Sequence, residues 1–210
     1  MPMKPIDYFN SVWARADLFA ALHGYMSSGT TAALNPDELL RAEWVMRVSA
    51  LDLYVHELIA EKLLEIFNGV RPVCPGFQKL QISSQTMLTL ISHTSGRAGG
   101  AVFDLEIRDK LSRVTYQYPD DIADGIRLVS PIELWNTVAA HQGAVGGAIK
   151  TEAANLKISL KQIVGRRNKI VHEGDLQPGV PRNEWPIARA DLIIVRSVIE
   201  TTVRSIDAVI

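Results

Sequence analysis

Only one cysteine, Cys74, stands in the chain, so no intrachain disulfide can form and a thiolate zinc site would need a second subunit. Aromatic residues are scarce at 7%, and charge almost cancels: 22 Lys and Arg against 23 Asp and Glu leave a formal −1. A chain so balanced has no overall pull on nucleic acid, and any such contact must rest on a local basic patch. Long apolar runs are missing too. The uncharged stretch Leu134 to Ile149 carries Asn136, His141, Gln142 and three glycines, too short and too polar to span a bilayer. Met1-Pro2-Met3-Lys4-Pro5 lacks the apolar core of a signal peptide. A soluble, cytoplasmic chain with no membrane partner is therefore expected.

What is present is enough apolar residue for a core: 47% hydrophobic against 21% charged over 210 residues. That length suits one domain, 1–210. Apolar positions recur at helical spacing. Ile6, Phe9, Trp13, Ala16 and Phe19 or Ala20 predict a helix from about Pro5 to Tyr25, followed by a loop at Ser27–Thr31. Asn35, Pro36, Asp37 and Glu38 then give a cap, a first-turn proline and acids for the positive helix end. The helix they start has the stripe Leu40, Trp44, Val48, Leu51, Val55, Leu58 and Leu63, and stops at Asn68-Gly69. Shorter helices are expected at Ser84–Ser92 and Ala101–Tyr116, with a loop over Ser95–Gly100 between them. Pro119-Asp120-Asp121 reads as a break, and Ser130-Pro131-Ile132-Glu133 starts a helix through about Ala140. A helix from about Thr151 to Glu173-Gly174 has Leu156, Leu160, Ile163 and Val164 on one side. The last, roughly Pro186–Val209, offers Ile187, Ile194, Val198, Val203 and Ile206 to the core. No strand is expected, and the fold class is all-α.

Charge is uneven near the C-terminal third. Lys150, Lys157, Lys161, Arg166, Arg167 and Lys169 fall within twenty residues where Glu152 is the only acid. Most such runs are solvated helix faces. Here the residue types add chemistry. Arginine grips a phosphate through paired charge-assisted hydrogen bonds, and histidine exchanges protons near neutral pH. Arg167 and His172 thus supply the cation and proton carrier that cleavage of RNA by its own 2′-hydroxyl needs. Five steps of roughly 100° set them about 140° apart on a regular helix, whereas Asn168 and His172 share a face. Convergence on one phosphate then requires a bend, a helix end, or a second subunit, and two-fold pairing is the simplest.

The segment Arg166-Arg167-Asn168-Lys169-Ile170-Val171-His172 resembles the Arg-x4–6-His signature of HEPN ribonucleases. Extended to Asp175, and with Ser49-Ala50-Leu51-Asp52-Leu53-Tyr54-Val55-His56-Glu57-Leu58, it is similar to the RiboL-PSP-HEPN subgroup. The resemblance spans Glu38–Asp175 and is strong at those two segments, giving a motif-bearing core at about 36–175 and a C-terminal helix at about 186–209. It implies a dimerising helical bundle acting as a metal-independent endoribonuclease without cofactor, in bacterial toxin or anti-phage systems. It also implies an antitoxin or defence-system partner protein. Arg167 and His172 carry over as catalytic and Asn168 as their polar support; Arg166, Lys169 and Lys161 are expected to bind RNA. Asp52 and Glu57 are candidate supporting acids, though an exposed acid on a helix is commonplace. The chain departs from some HEPN toxins at Gly174, where those have a tyrosine that a partner enzyme modifies. A non-catalytic module binding RNA or a partner, and a plain helical oligomer, are the competing readings. The remaining histidines, His23, His56, His93 and His141, lack metal spacing.

Overall fold

Helix α2 (Asp37–Phe67) is the spine of the bundle, 31 residues or roughly 47 Å at 1.5 Å per residue. The computed structural model describes residues 3–29, 35–92 and 96–210, without the side chains of 96–98. Before the spine comes α1 (Pro5–Gly29), which lies along it. After it follow a single 3-10 turn (Phe77–Lys79), α3 (Ser84–Ser92), α4 (Gly96–Leu111), α5 (Pro119–Arg127), α6 (Leu134–His141), α7 (Ala148–Glu173) and α8 (Arg189–Val209). The fold is an all-α bundle, and the described residues contain no strand beyond one isolated bridge, Leu176 to Glu184. No described helix is long and apolar enough to cross a membrane.

The predicted stripe of α2 forms the centre of the core. Leu40, Val48, Leu51, Val55, Leu58 and Leu63 are each at most 2% exposed. Burying such side chains contributes roughly 1.5–3 kcal/mol apiece relative to exposure. Around them pack Phe9 of α1, Ile107 of α4, Ile122 and Ile126 of α5, Leu160 and Val164 of α7, and Ile199, Val203 and Ile206 of α8. Trp44 is only partly buried, but its indole N–H donates to the Ile163 carbonyl at 3.0 Å, tying α2 to α7. Arg47 is fully buried and charge-matched: its guanidinium reaches Glu43 at 2.9 Å, Asp17 at 2.5 Å and the Trp13 carbonyl at 2.9 Å.

Several local expectations are corrected. The Ser27–Gly29 part of the predicted loop continues α1, while Thr30, Thr31, His93 and Ser95 lie outside the described residues. Asn35 makes no side-chain cap; it adopts a positive φ of 39° and Glu38 pairs with Arg41 instead. The glycines read as a loop before α4 are helical from Gly96. They permit close approach, since a Cβ on Gly100 would sit 3.3 Å from Asn68 and one on Gly99 3.7 Å from Leu90. Pro119 starts α5 rather than breaking the chain, with Asp120 and Asp121 in the first turn. Ile194 is 61% exposed, and α8 buries Leu192, Val195 and Ile199 in its place.

Gly76 marks the tightest backbone crossing, because a Cβ there would fall 1.9 Å from the Arg127 carbonyl oxygen. Beside it Cys74 is buried and its thiol donates to the Leu128 carbonyl at 3.2 Å. Gly76→Ala is expected to lower stability by roughly 1–3 kcal/mol through forced separation of two backbones. A urea midpoint unchanged from the wild type would contradict that account.

Candidate active site on the seventh helix

Helix α7 runs unbroken through the whole motif and ends one residue past His172. Gly174 stops it with a left-handed φ of 62°, a conformation that favours glycine. The Lys169 carbonyl then accepts the Gly174 N–H and, at 3.0 Å, that of Asp175. The helix therefore does not end between Arg167 and His172, and at regular helical spacing the two side chains leave it on different faces.

Arg167 is half-buried, and its Nε is enclosed without a hydrogen-bond partner. Its Nη1 donates to Asn168 Oδ1 at 3.0 Å, and Asn168 Nδ2 donates to the Tyr118 hydroxyl at 3.1 Å. Both polar ends of Asn168 are thus committed to Arg167 and Tyr118, and not to His172 as helical spacing suggested. No described carboxylate pairs with Arg167. Among the described residues it is the sole buried or half-buried arginine in that condition, since Arg41, Arg47, Arg71, Arg166 and Arg196 all hold one.

His172 is exposed and lines a groove with Lys169, Glu173, Gln177, Arg182 and Trp185. Its ring has no polar partner among the described residues. Lys169 is also exposed, with Nζ 5.4 Å from the centre of the Trp185 ring. The other two basic residues expected to face RNA are engaged inside the chain. Lys161 reaches Asp120 at 3.0 Å, sharing that carboxylate with Lys157, and Arg166 reaches Asp175 at 2.6 Å.

Asp175 is the organiser that sequence reading missed. Fully buried, it accepts from Arg166 and, at 3.0 Å, from Arg41 of α2. Arg41 lies 134 positions away, so no local pattern signals the pairing.

The supporting acids sit apart from His172. Asp52 accepts from the Tyr116 N–H at 2.6 Å and Gln117 Nε2 at 3.0 Å, with His56 Nε2 at 3.5 Å. Since Tyr118 holds Asn168, the 116–118 segment links Asp52 to the arginine indirectly. Glu57 pairs with Arg108 of α4 at 2.8 Å. Burial pushes the Asp52 carboxyl up, but the hydrogen bonds from His56, Gln117 and the Tyr116 amide together outweigh it and hold the group below its ordinary 3.8. A carboxyl depressed in the folded state stabilises above its unfolded value and loses that contribution as pH falls through the folded one. Asp52→Asn is therefore expected to cost about 1–3 kcal/mol at neutral pH, a deficit that closes below about pH 4. Urea unfolding across pH checks this, and a deficit constant into acid would refute it.

Family models, curated proteins and solved structures give no match to this chain. No group of histidine, cysteine and acidic side chains that could hold a metal occurs among the described residues.

Proposed function

We propose that this chain is a metal-independent endoribonuclease of HEPN type, whose active site forms between two copies related by a two-fold axis. The supporting observation is Arg167: a half-buried guanidinium, oriented by Asn168, with no carboxylate partner among the described residues. A buried cation lacking a counter-ion is costly, and a phosphate would supply one. His172, exposed and without a polar partner, is free to move protons. In the reaction an imidazole takes the proton of a ribose 2′-hydroxyl and the 2′-oxygen bonds to the adjacent phosphorus. The bond to the 5′-oxygen then breaks and that oxygen is protonated, leaving a 2′,3′-cyclic phosphate and a 5′-hydroxyl. Arg167 stabilises the charge on the five-coordinate phosphorus.

The continuous α7 supports the two-fold reading: residues five apart on a regular helix point to different faces, and pairing two copies would let one copy's arginine approach the other's histidine. That same divergence favours a second reading, a non-catalytic module that binds RNA or a partner protein of a defence or restriction system. Incubation of RNA with the purified protein in excess chelator separates the two. Fragments with cyclic phosphate ends, absent with His172→Ala, support the nuclease; salt-sensitive binding without fragments supports the module.

A further inference from the structure

The loop from Asp175 to Pro186 closes α7 and carries Trp185 back to the groove beside His172. The other tryptophans are occupied. Trp44 and Trp135 donate their indole N–H groups to the Ile163 and Pro119 carbonyls, and Trp13 lies 4.2 Å beneath the Arg47 guanidinium. The Trp185 indole N–H has no partner among the described residues, and its ring meets the exposed ammonium of Lys169. Its backbone is another matter. The Trp185 N–H donates to the Asp175 carbonyl at 2.8 Å, while its own carbonyl accepts from Arg41 at 2.8 Å and Arg166 at 3.3 Å. Gln177 ties the loop across itself through the Asn183 and Glu184 carbonyls.

A large aromatic ring held by its main chain at the edge of a groove is prepared for a flat ligand at little ordering cost. Lys169 and Arg182, with no carboxylate partners among the described residues, outnumber the one acid of the groove, Glu173. An aromatic face flanked by cations is the chemistry of a single-stranded nucleic-acid site, and stacking on a base outweighs a surface ammonium contact.

We propose that Trp185 is the stacking platform of a nucleobase subsite for single-stranded RNA, with Lys169 and Arg182 holding the neighbouring phosphates. This rests on the ribonuclease reading of the same site. Trp185 acts as a binding residue, placing the chain of the RNA so that the next phosphate reaches His172.

The test is binding of a fluorescein-labelled short single-stranded oligoribonucleotide, in chelator and in the His172→Ala background so that the RNA stays whole. Among the described residues every hydrogen bond that holds Trp185 uses its backbone, so Trp185→Ala removes the ring alone. It is expected to weaken binding about ten-fold or more, while Trp185→Phe retains most of it. An abasic position scanned along the oligonucleotide should weaken binding at one register to the parent and make no further difference to Trp185→Ala. Should Trp185→Ala fail to fold, Trp185→Leu against Trp185→Phe reads the same loss of the π-face. Alanine or leucine binding as tightly as the parent, or an abasic penalty that survives without the ring, overturns the subsite. Stacking without any cleavage by the wild type upholds it and sinks the nuclease. Cleavage and binding indifferent to Trp185 do the reverse, and absence of RNA binding removes both.

Discussion

Replacing His172 with alanine is expected to lower RNA cleavage by about 10²–10⁴-fold, the range for loss of a general acid or base. The side chain is exposed and has no polar partner among the described residues, so folding should be untouched and the melting curve should overlay the wild type. Arg167→Ala should fall comparably. Mixing the two inactive proteins is more informative. Under the proposed two-fold reading, a site takes its arginine from one copy and its histidine from the other. Random pairing makes about half the dimers mixed, with one of two sites whole, so activity should return to about a quarter of the wild type. A mixture as dead as its components would exclude the shared site.

Asp175→Ala should produce the largest loss of stability in the chain, roughly 3–5 kcal/mol, the usual cost of breaking a buried ion pair by removing one partner. The carboxylate is 0% exposed, and Arg41 and Arg166 both converge on one of its oxygens. Without it Arg166 loses its carboxylate partner and Arg41 keeps only the exposed Glu38 and Glu184. Total stability of a domain is about 5–15 kcal/mol, so such a variant stands near unfolding. Asp175→Asn separates charge from shape. Asparagine tolerates the left-handed φ of 57° and keeps an acceptor, and the remaining deficit then measures the charge. Equal stability of both variants and the wild type in urea would show that the two arginines find water or other acceptors.

The fold was legible where local and long-range demands agreed. The stripe of α2 and the stop at Gly174 follow from spacing and from the need for a left-handed residue, and both stand where expected. Pro119 and Gly96–Gly100 misled because one residue type serves opposite ends. Proline that cannot continue a helix can begin one, and glycine that loosens a loop also lets α4 close on α2. Ile194 fits the helical period as well as Val195 does, and only the positions of α2, α6 and α7, which pack on α8, decide which is covered. The motif itself was readable because it is contiguous. Its dependents were not: Arg41 meets Asp175, and Tyr118 meets Asn168, only after the chain has folded.

The bond from Trp44 to the Ile163 carbonyl has a consequence for control. That carbonyl is the one the Arg167 amide approaches in a regular helix, so α7 cannot spin about its axis to swing the guanidinium round without breaking its tether to α2. Under the proposed reading, a solitary molecule then has no internal route to the competent arrangement. On that same reading, turnover at low abundance climbs with roughly the square of copy number, and expression level is itself the throttle.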